Sequence, residues 1–288
     1  MARIWGLRPL YDQMPDVREN IIDADKQRLF DWRELWQYRE LFYFFTWRDI
    51  KIKYKQTVLG FLWAVLQPLA MMIIFTFFFG RALRIPSQQI PYPIFVFSGL
   101  LMWNMFSSGL TTSANSMINN APIIKKIYFP RLIIPVSSIL VSFFDFLMAF
   151  ILFVPLIIFF GQPVSIAAIW SWPLAIAVCV IGTLGPGSWL AALNVKYRDF
   201  RYVIPFVVQV MFFLTPVLYP ITLLDHPLLR YLLAISPMYA AVELFRVPLT
   251  GELPDPVLLT ISLSSAVFLL AIGLTYFKKT EDLFADFA

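Results

Sequence analysis

The 288-residue sequence is poor in the residue types that build soluble catalytic and metal sites. It has one cysteine, Cys179, and one histidine, His226, which excludes an internal disulfide framework and a Cys/His metal cluster. No glycine is followed by lysine, so a Walker A phosphate loop is excluded. Charged residues make up 14% of the chain, against roughly 25% in soluble domains. A soluble enzyme and a disordered chain are therefore excluded.

Apolar residues are abundant and lie in long runs. They make up 59% of the chain, and a helix needs about 20 of them to cross the hydrocarbon core. Six stretches meet this requirement: 59–80, 92–110, 132–160, 170–193, 202–219 and 257–277. Only 132–160 contains a charged residue, Asp145. The sequence predicts an all-α polytopic membrane protein with six transmembrane helices and both termini on one side.

The basic residues predict the orientation of these spans. In a six-span topology 19 of the 23 Lys and Arg residues fall on one side, and only Arg81, Arg84, Arg230 and Arg246 fall on the other. Cytoplasmic loops carry the excess of cations, so we expect cytoplasmic termini and no nucleic-acid partner. Residues 1–30 lack an apolar core of the signal-peptide type. They are predicted to be a polar cytoplasmic extension.

A short amphipathic helix is predicted over 31–47, ahead of a basic lead-in that ends at 58. Its apolar arc collects Trp32, Leu35, Trp36, Phe42, Tyr43 and Trp47, which is typical of a helix lying along a membrane surface. Two roles remain open for it: an anchor for the first span, or a shoulder on which a cytoplasmic partner docks.

The predicted loop 111–131 is polar at first and then basic and aromatic. A plain connector does not need Ile127, Tyr128 and Phe129, so we expect them to pack against the membrane interface or, preferably, another protein. On the other side, segment 220–256 holds two apolar pieces too short to span. These predict short re-entrant gate helices that cap an opening, or else an amphipathic hairpin resting on lipid.

The spans offer aromatic and proline-rich surface rather than ionisable chemistry. Asp145 stands alone in its span, as a conduit-lining group or, preferably, as a charge neutralised inside the bundle. Interior prolines favour a conduit over an inert anchor. Aromatic side chains near the ends of spans one and five suit the C–H faces of sugar rings, although lipid-facing belts use the same residues. They include Trp63, Phe75, Phe206, Phe212, Phe213 and Tyr219.

Several stretches, taken in order, resemble the membrane subunit of an ABC-2 type polysaccharide exporter, most closely the O-antigen export permeases. They are 48–60 (RDIKIKYKQTVLG), 63–68, 125–131 (KKIYFPR), 197–199, 215–220 (TPVLYP), 236–239 and 286–288. The resemblance covers the chain from about Trp32 onward.

This resemblance implies a homodimer that works with two copies of a separate cytoplasmic ATPase. ATP and Mg would be bound by that partner, and this chain would hold no cofactor, metal or catalytic residue. The cargo would be a polysaccharide linked to a polyprenyl diphosphate lipid, exported across a bacterial cytoplasmic (inner) membrane.

The resemblance also implies roles for particular residues. Contact with the ATPase is assigned to Trp36, Arg39, Asn115, Asn119, Asn120, Ile124, Lys125, Lys126, Tyr128, Phe129 and Arg131. Guidance of the lipid diphosphate is assigned to Arg48, Lys51, Lys53 and Lys55, which anchoring of the first span explains nearly as well. The six aromatic residues named above are assigned to a glycan channel. The periplasmic gate is assigned to Leu228, Leu232, Met238 and Tyr239.

Two alternative functions remain at this stage. One is an ABC-2 permease for capsular polysaccharide, teichoic acid, or a small lipid or drug. The other is a membrane-embedded transferase that modifies a glycan. For that role Asp49 and Asp199 are the only acids near a lipid–water boundary.

Overall fold

The structure, a computed structural model, describes residues 32–55, 60–197, 199–281 and 284, and within these ranges it is helical with no strand. The polar extension 1–30 and the family-like residues 286–288 lie outside them. The helices of the first half are α1 (Trp32–Gln37), α2 (Arg39–Tyr54), α3 (Leu62–Phe75), α4 (Tyr92–Asn119), α5 (Ala121–Ile124) and α6 (Ile133–Phe159). The second half contains α7 (Ala168–Lys196), α8 (Phe200–Leu214), α9 (Pro227–Ala234), α10 (Pro237–Thr250) and α11 (Pro256–Thr280).

Five of the described helices are long and apolar enough to cross a membrane. They are α3 with its π-helical continuation to Ala82, α4, α6, α7 and α11. A sixth candidate arises if α9 and α10, bent by 96° at the break between them, count as one span. The prediction of an all-α polytopic membrane protein is confirmed.

The fifth predicted span, 202–219, is shorter in the structure than in the sequence analysis. Helix α8 has 15 residues, which gives a length of roughly 22 Å. It ends at Leu214 because Thr215 precedes Pro216 and is extended, with φ −86° and ψ 137°. The six following residues connect α8 to a 3₁₀ turn at Ile221–Leu223. Thr215 N still donates to Met211 O at 2.9 Å, and Val217 N donates to Thr215 O at 2.7 Å.

The predicted loop 111–131 is helical in its first half, which corrects its expected boundary. Helix α4 continues through Thr111–Asn119, where Ser113, Ala114, Ser116 and Met117 are buried in the bundle and other polar side chains bond to the helix's own carbonyls. Thr112 Oγ1 donates to Ser108 O at 2.7 Å, and Asn115 Nδ2 donates to Thr111 O at 2.8 Å. Ser, Thr and Asn favour non-helical backbone when they lack such partners, and this made the stretch resemble a loop.

The predicted surface helix is broken at Tyr38 and runs on to Tyr54, beyond the expected end at residue 47. One side of it packs on the bundle through Phe45, which is buried, and through Tyr38, Leu41 and Phe42. The opposite side exposes Trp36, Tyr43 and Trp47. The predicted single apolar arc is therefore divided between two faces of the helix, because aromatic residues occur on both.

We define the basic end of the bundle as the end where α2, α5 and the last turn of α11 meet. Phe45, Ile124 and Phe277 share one buried cluster there. The other end of the bundle is called the opposite end. Between the two ends, and nearer the basic one, α7 and α11 cross in close contact. A Cβ built on Gly273 would overlap the backbone of Gly185, so small residues allow the two helices to approach.

Helices α9 and α10 form a re-entrant hairpin. Its tip lies deep in the bundle, where Pro237 contacts Gly182 near the middle of α7. Helix α10 then returns to the opposite end, where Pro248 O accepts from Ser165 N at 2.8 Å. Its side chains are buried over nearly the whole helix. This burial supports the re-entrant alternative over a hairpin resting on lipid.

Arg246 of α10 joins the hairpin to the rest of the bundle. It is 1% exposed, and its guanidinium donates to Pro216 O at 2.9 Å, Val217 O at 2.8 Å and Phe95 O at 3.1 Å. Glu243 balances the charge at 3.2 Å. Because Pro216 and Val217 lie beyond the end of α8, the guanidinium supplies the donors that their buried carbonyls need.

We expect Arg246→Met to lower the stability of the purified protein by about 3–5 kcal/mol, because Glu243 would be left buried without its partner. Thermal unfolding in detergent measures this loss. The control Arg81→Met, at an exposed arginine, should change stability by less than about 0.5 kcal/mol. A loss as small as the control's would contradict the role given to Arg246, whereas Glu243→Gln added to Arg246→Met should recover part of it.

Candidate functional site

A cavity of about 620 Å³ opens between α3, α4, α6 and α8. Its lining is mixed rather than purely apolar, with amides, hydroxyls and aromatic rings from several helices. The polar lining residues are Lys53, Tyr54, Gln67, Asn104, Ser107, Ser108, Thr111, Thr112, Asp145 and Gln209, and the aromatic ones include Trp63, Trp103 and Phe212. The cavity reaches the basic end at Lys53 and Tyr54.

Three amides on three different helices face this cavity. Gln67 is on α3, Asn104 on α4 and Gln209 on α8, and none has a side-chain hydrogen bond to another described residue. Below Asn104, the hydroxyls of Ser107, Ser108, Thr111 and Thr112 follow at helical spacing along one face of α4. Unpaired amides inside a membrane span are costly unless a ligand or water meets them. The cavity is therefore suited to a ligand rich in hydroxyl groups.

The predicted channel aromatics fall into two groups. Trp63 and Phe212 line the cavity, and Phe75 packs behind Phe212 with ring centroids 5.8 Å apart. Phe206 and Phe213 are exposed on α8, and Tyr219 Oη donates to Phe213 O at 2.9 Å. The structure thus brings two of the six into the cavity and one into contact with its wall.

Asp145 lies where the cavity meets the basic end. It is ion-paired with Lys53 and accepts a hydrogen bond from the hydroxyl of Tyr54, so α2 is tied to α6. Burial, reinforced by the hydrogen bond to Asp145, raises the pKa of Tyr54. The hydroxyl therefore stays protonated and able to donate. The sequence left two roles open for Asp145, a conduit-lining group or a charge neutralised inside the bundle. In the structure it lines the cavity and its charge is neutralised by Lys53.

The four basic residues assigned to diphosphate guidance differ in their surroundings. Arg48 donates to Asn120 Oδ1 at 2.6 Å and pairs with Asp49 at 2.7 Å. Lys53 is held by Asp145, as described above. Lys51 and Lys55 are exposed, with Lys51 Nζ 5.3 Å from the centre of the Trp47 ring.

The segment assigned to ATPase contact divides into anchored and exposed residues. Ile124 and Phe129 are buried, and the Phe129 ring lies 5.6 Å from that of Phe45. Arg131 N donates to Glu281 Oε1 at 3.1 Å, which ties the segment to the end of α11. Lys125, Lys126, Ile127 and Tyr128 between these anchors are exposed.

The remaining residues assigned to this contact precede that exposed stretch in the chain. Asn120 holds Arg48, Asn115 accepts from Asn194 Nδ2 at 3.0 Å, and Asn119 ends α4. Trp36 and Arg39 lie on the outward side of α1 and α2, with the guanidinium 5.7 Å from the ring centre. The basic end thus presents a surface of cations and aromatic rings.

The four predicted gate residues lie in the hairpin but in different environments. Leu228 and Leu232 are exposed on α9, whereas Met238 and Tyr239 are buried at the start of α10. Tyr239 also borders a small cavity of about 140 Å³ at the opposite end, together with Glu243 and Asp255.

Sequence reasoning missed the amides of Gln67, Asn104 and Gln209. A signal was available, since these polar residues interrupt apolar runs and, on α4, recur at one-turn spacing with the hydroxyls. This signal was not decisive, because the sequence does not show how α3, α4 and α8 pack, and only that packing brings the three amides to one cavity.

These helices and this polar conduit-like cavity define a membrane transport subunit. Residues 40–249 match the family of ABC-2 type transporter membrane domains, and the chain belongs to this family. It is 31% identical over 242 residues to the O-antigen export system permease protein RfbA of Klebsiella pneumoniae, covering 84% of this chain and 92% of the relative. It is 30% identical to RfbA of Myxococcus xanthus, covering 88% and 97%. The polysialic acid transport protein KpsM of Escherichia coli is 23% identical, with 82% and 91% covered.

Proposed function

We propose that this chain is the permease subunit of an ATP-driven exporter of a lipid-linked polysaccharide, most closely an O-antigen. The observation that carries this proposal is the cavity between α3, α4, α6 and α8. Amides hydrogen-bond sugar hydroxyls, and the faces of Trp63, Trp103 and Phe212 suit the C–H faces of sugar rings. The names of its relatives, which specify O-antigen and polysialic acid transport, support the same class of cargo.

The energy for export would come from a separate cytoplasmic ATPase, present in two copies. ATP binding would favour one conformation of the assembly over another, because only a difference in affinity between two states can drive a transition. The exposed stretch Lys125–Tyr128, held at its ends by Ile124 and Phe129, is the surface that would receive this motion.

The chain would work as a homodimer. Helix α3 is scarcely buried within one chain, and α8 exposes Phe206, Val210 and Phe213. A second copy packed on this side would cover the open flank of the cavity and complete a conduit between the two chains. The lipid diphosphate would approach the basic end, where Lys51 and Lys55 are exposed cations.

Deletion of the gene tests the export function directly. We expect lipid-linked glycan to accumulate inside the cell at normal or greater length, measured by fractionating glycan between cytoplasm and surface. Glycan that disappears altogether would indicate a role in synthesis. Unchanged glycan would contradict the proposal and favour a permease for a small lipid or drug.

Complementation of that deletion tests the cavity. The triple variant Gln67→Ala, Asn104→Ala and Gln209→Ala should slow the appearance of surface glycan about tenfold or more, since three hydrogen bonds of about 1 kcal/mol each are removed. Gln37→Ala, which changes an exposed glutamine on α1, is the control. Wild-type export by the triple variant, at equal protein level, would exclude the cavity as the glycan path.

Charge reversal tests the ATPase surface. Lys125→Glu with Lys126→Glu should uncouple ATP hydrolysis from export while the protein still inserts in the membrane. The introduced carboxylates would repel the acidic groups of the partner that the lysines would otherwise pair with. ATPase activity and surface glycan are measured together. The control is Lys279→Glu, which reverses an exposed charge at the same end but outside the contact, and it should leave hydrolysis and export coupled. Loss of insertion in the double variant would instead support a role in anchoring.

Disulfide cross-linking tests the homodimer. In a Cys179→Ala background, a cysteine at Val210 should give a cross-linked dimer in oxidised native membranes. A cysteine at Phe268, which is 64% exposed on α11, should not. No dimer from Val210, or equal cross-linking at both positions, would argue against an interface on α8.

A further inference from the structure

The cavity described above contains one balanced pair of charges. Among the described residues that line it, Lys53 and Asp145 are the only ones with ionised side chains, and they form an ion pair with each other. Residues 56–59 of the sequence are Gln, Thr, Val and Leu and carry no charge. The charges of the described lining residues therefore sum to zero, although the chain as a whole has a net charge of +5.

Asp145 binds two donors at the wall of the cavity. Lys53 brings the ammonium group and Tyr54 the hydroxyl, and both are bound to the same carboxylate. The Asp145 side chain is 18% exposed and that of Lys53 42%, and both residues line the cavity. Without the carboxylate, the ammonium group of Lys53 would line the cavity without its counter-charge.

A free cation at this position would affect a moving chain in a specific way. At the wall of a cavity an unpaired ammonium attracts a carboxylate or phosphate more strongly than it would in bulk water. A polymer with one anionic group in each repeat would then be held more tightly each time a repeat reached Lys53. An uncharged polymer would meet amides, hydroxyls and aromatic rings, which make no ion pair and permit sliding.

We propose that Asp145 is a specificity-determining residue that neutralises Lys53 and so fits the conduit to an uncharged glycan chain. This inference rests on the proposed export function and narrows its substrate class. The competing explanation is that the ion pair only fastens α2 to α6. The two explanations differ in ligand selectivity, because an ion pair that only fastens α2 to α6 would not change which ligand the cavity prefers.

The test compares two probes with the same sugar backbone: a hexamer of galacturonic acid, whose carboxylates are charged, and its fully methyl-esterified form, which is uncharged and carries a methyl group on each carboxyl. The variants are read against the same two probes, so the contribution of the methyl groups cancels between proteins. The full-length protein in lipid nanodiscs is titrated with each, and competitive saturation-transfer NMR measures the ratio of affinities. We expect the wild-type protein to bind the ester at least tenfold more tightly than the acid. Asp145→Asn should strengthen binding of the acid about tenfold and leave the ester nearly unchanged.

A second variant separates selectivity from folding. Asp145→Asn combined with Lys53→Gln removes both charges, so the cavity is neutral again and the preference for the ester should return. Lys279→Gln removes an exposed cation at the same end, outside the cavity, and should leave the ratio of affinities at its wild-type value.

The outcomes distinguish this inference from the function on which it rests. Equal binding of acid and ester by the wild-type protein would overturn the selectivity while leaving glycan export in place. An Asp145→Asn variant that is folded but has an unchanged ratio of affinities for ester and acid would also overturn it. That result would support an ion pair that only fastens α2 to α6. Binding of neither probe by the wild-type protein would contradict glycan recognition by this cavity as well.

Discussion

The buried guanidinium of Arg246 is the interaction on which the opposite end of the bundle depends. Helix α8 stops at Leu214 because of Pro216, and the carbonyls that follow would otherwise be unpaired inside the protein. Arg246 reaches them from the re-entrant hairpin and also holds the carbonyl of Phe95 in α4. The cation in turn needs Glu243, one turn earlier on α10, because an uncompensated buried charge is costly. One side chain thus fixes a broken span, a hairpin and a central helix in relation to each other.

The same requirement for partners distinguishes structural polar groups from functional ones. Asn194 is fully buried in α7 and donates to Ala114 O at 3.0 Å, so its amide nitrogen is used by the fold. Arg48 is used in the same way by Asn120. The amides of Gln67, Asn104 and Gln209 differ, since they face a cavity and none of them bonds to another described residue. In a chain that spans a membrane, such groups mark the surface that a polar ligand would touch.

Hydropathy predicted most of the fold because crossing the bilayer imposes a length and a composition on each helix. It failed where local chemistry overrides composition. Hydropathy predicts a loop over polar residues 111–119, yet this stretch is helical and its side chains bond to carbonyls of the helix. It also predicts a span through residues 215–219, whereas Pro216 ends the helix before them. The pairing of Lys53 with Asp145 joins residues 92 positions apart, and only the packing of α2 on α6 reveals it. For the same reason, aromatic composition could not separate Trp63 and Phe212, which line the cavity, from Phe206, which is not among its lining residues.

In the proposed exporter, helix α2 connects the segment assigned to ATPase contact with the wall of the cavity. Arg48 binds Asn120, at the junction of α4 and the segment assigned to ATPase contact, and Lys53 binds Asp145 at the wall of the cavity. The two residues are five positions apart, which corresponds to about 7.5 Å along a helix axis. Within α2 this distance is spanned by continuous hydrogen-bonded backbone, and Phe45 packs the same helix against Phe129. A displacement of the ATPase-contact segment would therefore move the ion pair at the cavity mouth directly, since both are fixed to one rigid element. In the proposed exporter, charge balance in the conduit and mechanical coupling thus depend on the same short helix.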